Sequence, residues 1–332
     1  MDGKQHEITL SVIVPCYNVE PYLDRSLYSL SQQWNGRTDY EIILVNDAST
    51  DNSLDKLVSF KEKHPDNVVL IDKKDNEGVA AARNSGLDIA RGQWIVMFDP
   101  DDALAIGGYD YLIKNYATEE VDIVSFGVFT MQESNAPKQW DKELVISNTT
   151  PIKLKAKDFL LSKHIGSSIN FLYSSRLLKS HRYPSLSLLE DIVFNLPLFL
   201  SENKVVVVSE KIYYYLTRDS SATNTLNAAR LNKGCDDIMF AIEEIEKANN
   251  DELSLEQKTK LHDYQKKYTI NLLNRLLLSD KSKKEIKQIR NRLKKCNQLP
   301  LVGSKGRVYN FIMATPSLIT LLRPLYRLYR RR

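Results

Sequence analysis

The chain has 332 residues, 42% hydrophobic and 27% charged, an ordinary composition for a folded, water-soluble protein; that length suits one large domain with an appendage. A net charge of +4 hides a division: residues 281–332 hold 15 Lys and Arg against one acid, Glu285, a net of +14, leaving residues 1–280 at −10. Three scattered cysteines (Cys16, Cys235 and Cys296) and five scattered histidines exclude a disulfide framework, a thiolate metal site and an HExxH zinc centre.

The N-terminus is polar and lacks the apolar core of a signal peptide, so a reducing cytoplasm is the expected compartment. Short, nearly continuous apolar runs follow at residues 8–15, 40–45, 68–71, 93–98 and 121–129. Runs of that kind read as strands covered on both faces. Helical patterns separate them. Residues 20–33 put Tyr22, Leu23, Leu27 and Leu30 on one stripe. Asp51 or Asn52 can cap a helix over 53–63 with Leu54, Leu57, Val58 and Phe60 inward. Residues 78–90 and 107–116 are the next helices. The alternation predicts an α/β fold, a Rossmann-like, mostly parallel sheet flanked by helices with right-handed crossovers.

Ligands in such sheets bind beyond the carboxyl ends of the strands, and the polar residues collect there. The first strand runs into Pro15-Cys16-Tyr17-Asn18 and the second into Asn46-Asp47-Ala48-Ser49. The third ends at Asp72, ahead of Asn76-Glu77-Gly78, and the fourth runs into Phe98-Asp99-Pro100-Asp101-Asp102. Three carboxylates ending a buried strand repel each other and resist desolvation. Mg²⁺ or Mn²⁺ would relieve that, since every donor is a hard oxygen, whereas Asp-Pro-Asp-Asp is equally the chemistry of a surface turn. A nucleotide-sugar fits the loops. Tyr17 can stack on a base, Asp47 can accept from a ring N–H, and Arg83 can reach a diphosphate. Asp99 and Asp101 can hold a ribose hydroxyl and a metal. No GxGxxG follows the first strand and no GxxxxGK[ST] is present, which argues against dinucleotide and P-loop sites.

Residues 131–150 read as an irregular crossover, 205–208 as a strand and 227–297 as helices. Residues 308–322 form a 15-residue uncharged run containing Pro316, too short to span a bilayer. Beyond its start, Leu318, Leu322, Leu325 and Tyr329 share one helical face and Arg323, Arg327 and Arg330 another, with Arg331 and Arg332 following. Pro324 would kink that helix or start a second. The pattern suits an interfacial helix on an anionic membrane surface, the alternative being a tail packed on the protein's acidic body. No module for nucleic acid is recognisable, so no nucleic-acid partner is expected.

Four ordered segments together resemble family 2 glycosyltransferases. They are Ser11-Val12-Ile13-Val14-Pro15-Cys16-Tyr17-Asn18; residues 41–51, ending Asn46-Asp47-Ala48-Ser49-Thr50-Asp51; Asn76-Glu77-Gly78 with Ala82-Arg83-Asn84-Ser85-Gly86; and Phe98–Asp102. Leu189-Glu190-Asp191-Ile192-Val193-Phe194 is similar to the family's Glu-Asp motif, and residues 213–221 resemble the stretch that often follows it in bacterial members. The resemblance covers about residues 8–222. It implies a GT-A fold, a nucleotide-diphosphate sugar donor (a UDP-sugar above all), a divalent metal and inversion at the anomeric carbon. It further implies that Pro15, Tyr17, Asn18, Asp47, Arg83 and Asp99 contact the donor and that Asp101, with Asp99, binds metal. Asp191 is implied as the base, with Glu190 beside it. Pro100 stands where the family usually has a small residue.

The expected domains are 1–222 (GT-A), 223–304 (a helical extension) and 305–332 (a basic amphipathic tail). The expected activity is transfer to a hydroxyl of a glycan or lipid-linked acceptor in cell-surface polysaccharide synthesis, peripherally on the inner face of the cell membrane. Homo-oligomerisation is left open. The alternatives are a sugar nucleotidylyltransferase, which would need a Gly-rich phosphate loop after the first strand, and a catalytically inactive glycosyltransferase-like assembly partner.

Overall fold

The computed structural model describes residues 7–34, 36–137, 140–147, 149–217 and 228–301, and in the tail residues 310, 313–315, 317, 319 and 321–323. The chain divides into two compact units, residues 1–185 with 197–219, and residues 186–196 with 220–332. The segment 186–196, which carries Glu190 and Asp191, thus groups with the C-terminal helices.

The described residues of the first unit form a nine-stranded sheet, whose main path runs β3-β2-β1-β4-β8-β6-β9-β5 with β7 on β9. Its strands are β1 (Leu10–Cys16), β2 (Tyr40–Asn46), β3 (Val68–Asp72), β4 (Trp94–Met97), β5 (Ala103–Leu104), β6 (Ile123–Gln132), β7 (Ile152–Lys155), β8 (Phe171–Ser174) and β9 (Lys204–Thr217). The four expected N-terminal strands are parallel neighbours, so their carboxyl ends share one edge. Beyond them the sheet is mixed, for β8 runs antiparallel to both β4 and β6. The short β5, β7 and β8 carry no separate apolar period in the sequence. Val12, Val14, Ile42, Leu44 and Val96 are fully buried, as strands covered on both faces require. At the sheet edge, Leu70 and Ile71 of β3 are only half-buried.

Helices α1 (Glu20–Ser31), α2 (Ser53–Lys63), α3 (Val79–Ile89) and α4 (Gly108–Tyr116) lie close to the expected spans. Leu23, Leu27 and Leu30 of α1 are buried, with Tyr22 half-buried. On α2, Leu57 and Phe60 face inward but Val58 is exposed, because one residue turns about 100° from Leu57. The expected Asn52 side-chain cap is not made; Asp51 Oδ1 instead accepts from Ser53 N at 3.0 Å. Gly86 sets how closely α3 lies on β1, since a Cβ there would come within 2.4 Å of Ile13 Cγ2. The irregular segment 131–150 is anchored by buried Trp140, whose Nε1 donates to Leu104 O at 2.7 Å. Two short helices, α5 (Ala156–Ser162) and α6 (Ser175–Leu178), complete this part, and α7 (Glu190–Phe199) spans the division between the units.

The second unit contains α8 (Ala228–Ala248), α9 (Leu255–Leu278) and α10 (Lys283–Lys295). Ile238, Met239, Ile242 and Ile245 of α8 and Leu261, Leu272 and Leu276 of α9 are buried at helical spacing. Capping boxes, Ser254 with Gln257 and Ser282 with Glu285, start α9 and α10. In the tail, Met313 and Ile319 are buried, and Arg323 Nη2 donates to Lys281 O at 2.6 Å. These described tail residues pack on the protein. Leu318, Pro324, Leu325, Tyr329, Arg327 and Arg330–Arg332, on which the amphipathic expectation rests, lie outside the described residues.

Candidate active site

The four loops at the carboxyl edge of β1–β4 are sewn together by short side chains. Asn18 Oδ1 accepts from Thr50 N at 2.8 Å, and Asn18 N donates to Ser49 Oγ at 3.1 Å, joining the loops after β1 and β2. Asn46 Nδ2 donates to Asp72 Oδ1 at 2.7 Å, joining the ends of β2 and β3. Asn18 and Ala48 hold left-handed backbone conformations, with φ of 51° and 57°. Such residues cost about 1–2 kcal/mol each outside glycine and persist where the surroundings over-determine them. Pro15 lies in a central strand but costs no ladder bond. Residues 13 and 15 face the same neighbour, and pairing with β4 has ended at Ile13.

Asp47 is 2% exposed. Its carboxylate accepts from Glu77 N at 3.1 Å and Gly78 N at 2.7 Å and pairs with Lys73 at 3.1 Å. A ring N–H from a base would therefore join three donors already in place. Asp47 fixes the 76–78 turn, where Gly78 takes φ 91° ahead of α3. One turn into α3, buried Arg83 donates through Nη2 to Asp99 Oδ1 at 3.0 Å and lies over the Tyr183 ring. Asn84 clasps the Tyr183 backbone through both its Nδ2 and Oδ1. Tyr17 is 40% exposed, an aromatic face open to a ligand.

The Asp-Pro-Asp-Asp segment is a β-turn closed by Asp102 N donating to Asp99 O at 3.1 Å, with Pro100 at the second position. Proline suits that position, where its fixed φ is favoured and its missing N–H is not used. The turn is not a mere surface feature, since Asp102 is 1% exposed. Tyr213 Oη donates to Asp102 Oδ2 at 2.7 Å and Leu216 N donates to Oδ1 at 2.8 Å. The same Tyr213 oxygen accepts from Asp99 N at 3.1 Å. Burial, with Asp101 and then Asp99 adding like charge, pushes the Asp102 carboxyl up to about 8. Burial chiefly, and then the charge of Asp101, also raises the Cys16 thiol. The protein thus relieves part of the carboxylate repulsion itself, through Arg83 on Asp99 and Tyr213 on Asp102.

Tyr213→Phe is expected to strip one hydroxyl from this buried network. Leaving a buried donor or acceptor unpaired costs about 1–3 kcal/mol. Both the melting temperature and donor-nucleotide affinity should fall while far-UV dichroism stays native. An unchanged melt and unchanged affinity would show that Tyr213 does not hold the turn.

Among the described residues no group of three or more His, Cys, Asp or Glu is arranged to hold a metal ion. The donor set still fits a hard cation such as Mg²⁺, which commonly takes one or two carboxylates and completes its shell with substrate phosphates and water. The turn carboxylates that would hold such an ion are Asp101 and Asp99.

Glu190 and Asp191 open α7 and are both half-buried. The residue before them, Leu189, takes φ 64°, a strained choice for a bulky side chain. The approach to α7 is pinned within the second unit by Asp237, which accepts from Ser187 Oγ at 2.6 Å and Ser187 N at 2.9 Å. The Asp191 charge contributes, behind burial and Tyr264, to raising the Tyr268 phenol. The sequence assigns no individual role to Tyr213 or Asp237; the visible signals were the place of Asp102 among the turn's three carboxylates and that of Tyr213 at the start of the 213–221 stretch.

A family model for glycosyl transferase family 2 matches residues 11–182, just over half the chain and all four loops. The chain belongs to that family. The poly(ribitol-phosphate) beta-glucosyltransferase of Bacillus spizizenii is 33% identical over 217 residues, 63% of this chain and 32% of that protein. This chain spans about a quarter to a third of the length of the first curated relatives it matches. A crystal structure of S. aureus TarS residues 1–349 in complex with UDP-GlcNAc superimposes with a TM-score of 0.63 at 21% identity, covering 98% of this chain and 92% of that one. The mannosyltransferase PcManGT from Pyrobaculum calidifontis, in complex with GDP-Man and Mn2+, matches with a TM-score of 0.56 at 17% identity, covering 96% and 88%. The fold of this family member is accordingly GT-A.

Proposed function

We propose that the protein is an inverting glycosyltransferase that moves a sugar from a nucleotide-diphosphate donor, a UDP-sugar in particular, to a hydroxyl of a glycan or lipid-linked acceptor. The observation that carries this reading is the joining of Tyr17, Arg83, Asp99 and Asp101 at the carboxyl edge of four parallel strands. The nucleotide-sugar complexes of TarS and PcManGT support the donor class. The polyol-phosphate relative supports a role in cell-surface polysaccharide synthesis.

In this reading Tyr17 stacks on the base, Pro15 and Asn18 shape the loop beneath it, and Asp47 holds the 76–78 turn against it. Arg83 and Asp99 act as a pair. Asp99 takes a ribose hydroxyl while the guanidinium supplies positive charge toward the diphosphate. Asp101 and Asp99 would hold Mg²⁺ or Mn²⁺, which when bound offsets negative charge on the departing diphosphate. Asp191 accepts the acceptor hydroxyl's proton, with Glu190 turned about 100° from it on the helix. The chain works at the cytoplasmic face of the membrane. No described helix is long and apolar enough to cross one.

The test is a thermal-shift screen of UDP-, GDP- and other nucleotide-sugars with Mn²⁺. A ligand at 100 times its Kd adds about 2.7 kcal/mol of stability. One donor class is expected to raise the melting temperature by several degrees, and the same donor should lose its sugar slowly to water. No shift with any nucleotide-sugar at millimolar concentration would overturn the reading.

A further inference from the structure

We infer that the outward face of α10 is a docking surface for an anionic lipid leaflet. Ile286, Ile289 and Leu293 turn α10 into the second unit and are buried. Lys283, Lys284, Lys287, Lys294 and Lys295 are exposed, and Arg290 is half-exposed. The basic residues nearest the packed side have partners. Arg292 pairs with Glu243 at 2.7 Å, and Lys281, just before the helix, with Asp236 at 2.8 Å. The helix's single acid, Glu285, is engaged in its capping box and with Lys281. None of the six outward cations has an ion-pair partner among the described residues. Six like charges on thirteen residues repel one another, and such an arrangement is favourable against a negative surface.

The layout decides between a plane and a thread. Lys283, Lys287, Arg290 and Lys294 recur at helical spacing and form one row about 16 Å long. Lys284 and Lys295 stand about 100° further round the helix, off that row. A linear polyanion lying on the row would leave those two unused, whereas a planar surface reaches all six through the long lysine stems. The only other exposed residues of the helix are Gln288 and Asn291, so no large apolar side chain is offered for insertion. Docking would therefore be electrostatic, at headgroup depth. This differs from an inserted amphipathic tail, since the described tail residues Met313 and Ile319 are buried in the protein.

The test is flotation of the full chain with phosphatidylcholine vesicles, with and without about one-third phosphatidylglycerol. Binding is expected only with the anionic lipid and should weaken as salt shortens the screening length. The Lys283→Gln/Lys287→Gln/Lys294→Gln variant should bind about 100-fold more weakly, as each lysine at such a surface is worth about fivefold. Arginine at the same three positions should restore binding. Neutralising three exposed lysines elsewhere, Lys61, Lys63 and Lys179, should leave it unchanged. Wild-type binding by the glutamine variant, or equal loss in the arginine variant, would overturn the inference. Binding to soluble polyphosphate without binding to vesicles would assign the face to a linear polyanion and overturn it as well.

Discussion

Asp101→Asn is expected to abolish most sugar transfer and, with it, the Mn²⁺-dependence of nucleotide binding. The substitution keeps the side chain's shape and removes its charge, so the turn from Asp99 to Asp102 should persist. The turn hydrogen bond, Tyr213 on Asp102 and Arg83 on Asp99 each hold it through other groups. Transfer should fall by about 10²–10³-fold, the usual cost of losing one preorganised group that stabilises developing charge. Calorimetric titration of UDP with and without Mn²⁺ separates the effects. The wild type should bind more tightly with the ion, and the variant should show little difference. Full activity in the variant in the presence of a chelator would sink the assignment of Asp101 to metal.

The parallel half of the sheet was legible because each of its strands is a continuous apolar run, and each run ends in polar residues at the same edge. The mixed half was not. β5 is two residues long and β8 four, too short to show a period, and both pair antiparallel with distant strands. The site followed the same division. Tyr17, Asn18, Asp47, Arg83, Asp99 and Asp101 were visible as candidates because they collect at or near the carboxyl ends of the apolar runs. Tyr213 opens the 213–221 stretch, whose sequence assigns it no contact, yet it is placed between Asp99 and Asp102, more than a hundred residues earlier in the chain. Asp47 shows what the sequence leaves out: besides the base contact that its type and place suggest, its carboxylate accepts from Glu77 N and Gly78 N and pairs with Lys73. A sequence shows which groups reach an edge, and the hydrogen-bond count shows which still have capacity there. Pro100 likewise shows its place only in the fold, as the second residue of the turn.

Asp191→Asn is expected to separate binding from chemistry. An amide cannot accept the acceptor hydroxyl's proton, and losing a general base costs about 10²–10⁴-fold in rate. Donor affinity should be unchanged, since none of the side chains proposed to hold the nucleotide lies after Asp101 in the chain. The fold should also survive. The residues that set the start of α7 are Ser187 and Asp237, and the substitution touches neither. The paired measurement is UDP-sugar affinity by calorimetric titration and, at saturating donor, single-turnover transfer to a soluble acceptor. Glu190→Gln gives the control. Adjacent residues on a helix point about 100° apart, so one of the two can serve as base while the other does not. A large rate loss in Asp191→Asn with a small one in Glu190→Gln assigns the base to Asp191. The reverse pattern moves it to Glu190. Normal turnover in both variants would remove the Glu-Asp pair from the chemistry and leave its charge as a favourable interaction with the helix N-terminus. The strained Leu189 argues against that last outcome, because a helix start chosen only for charge has no need of a bulky residue at φ 64°.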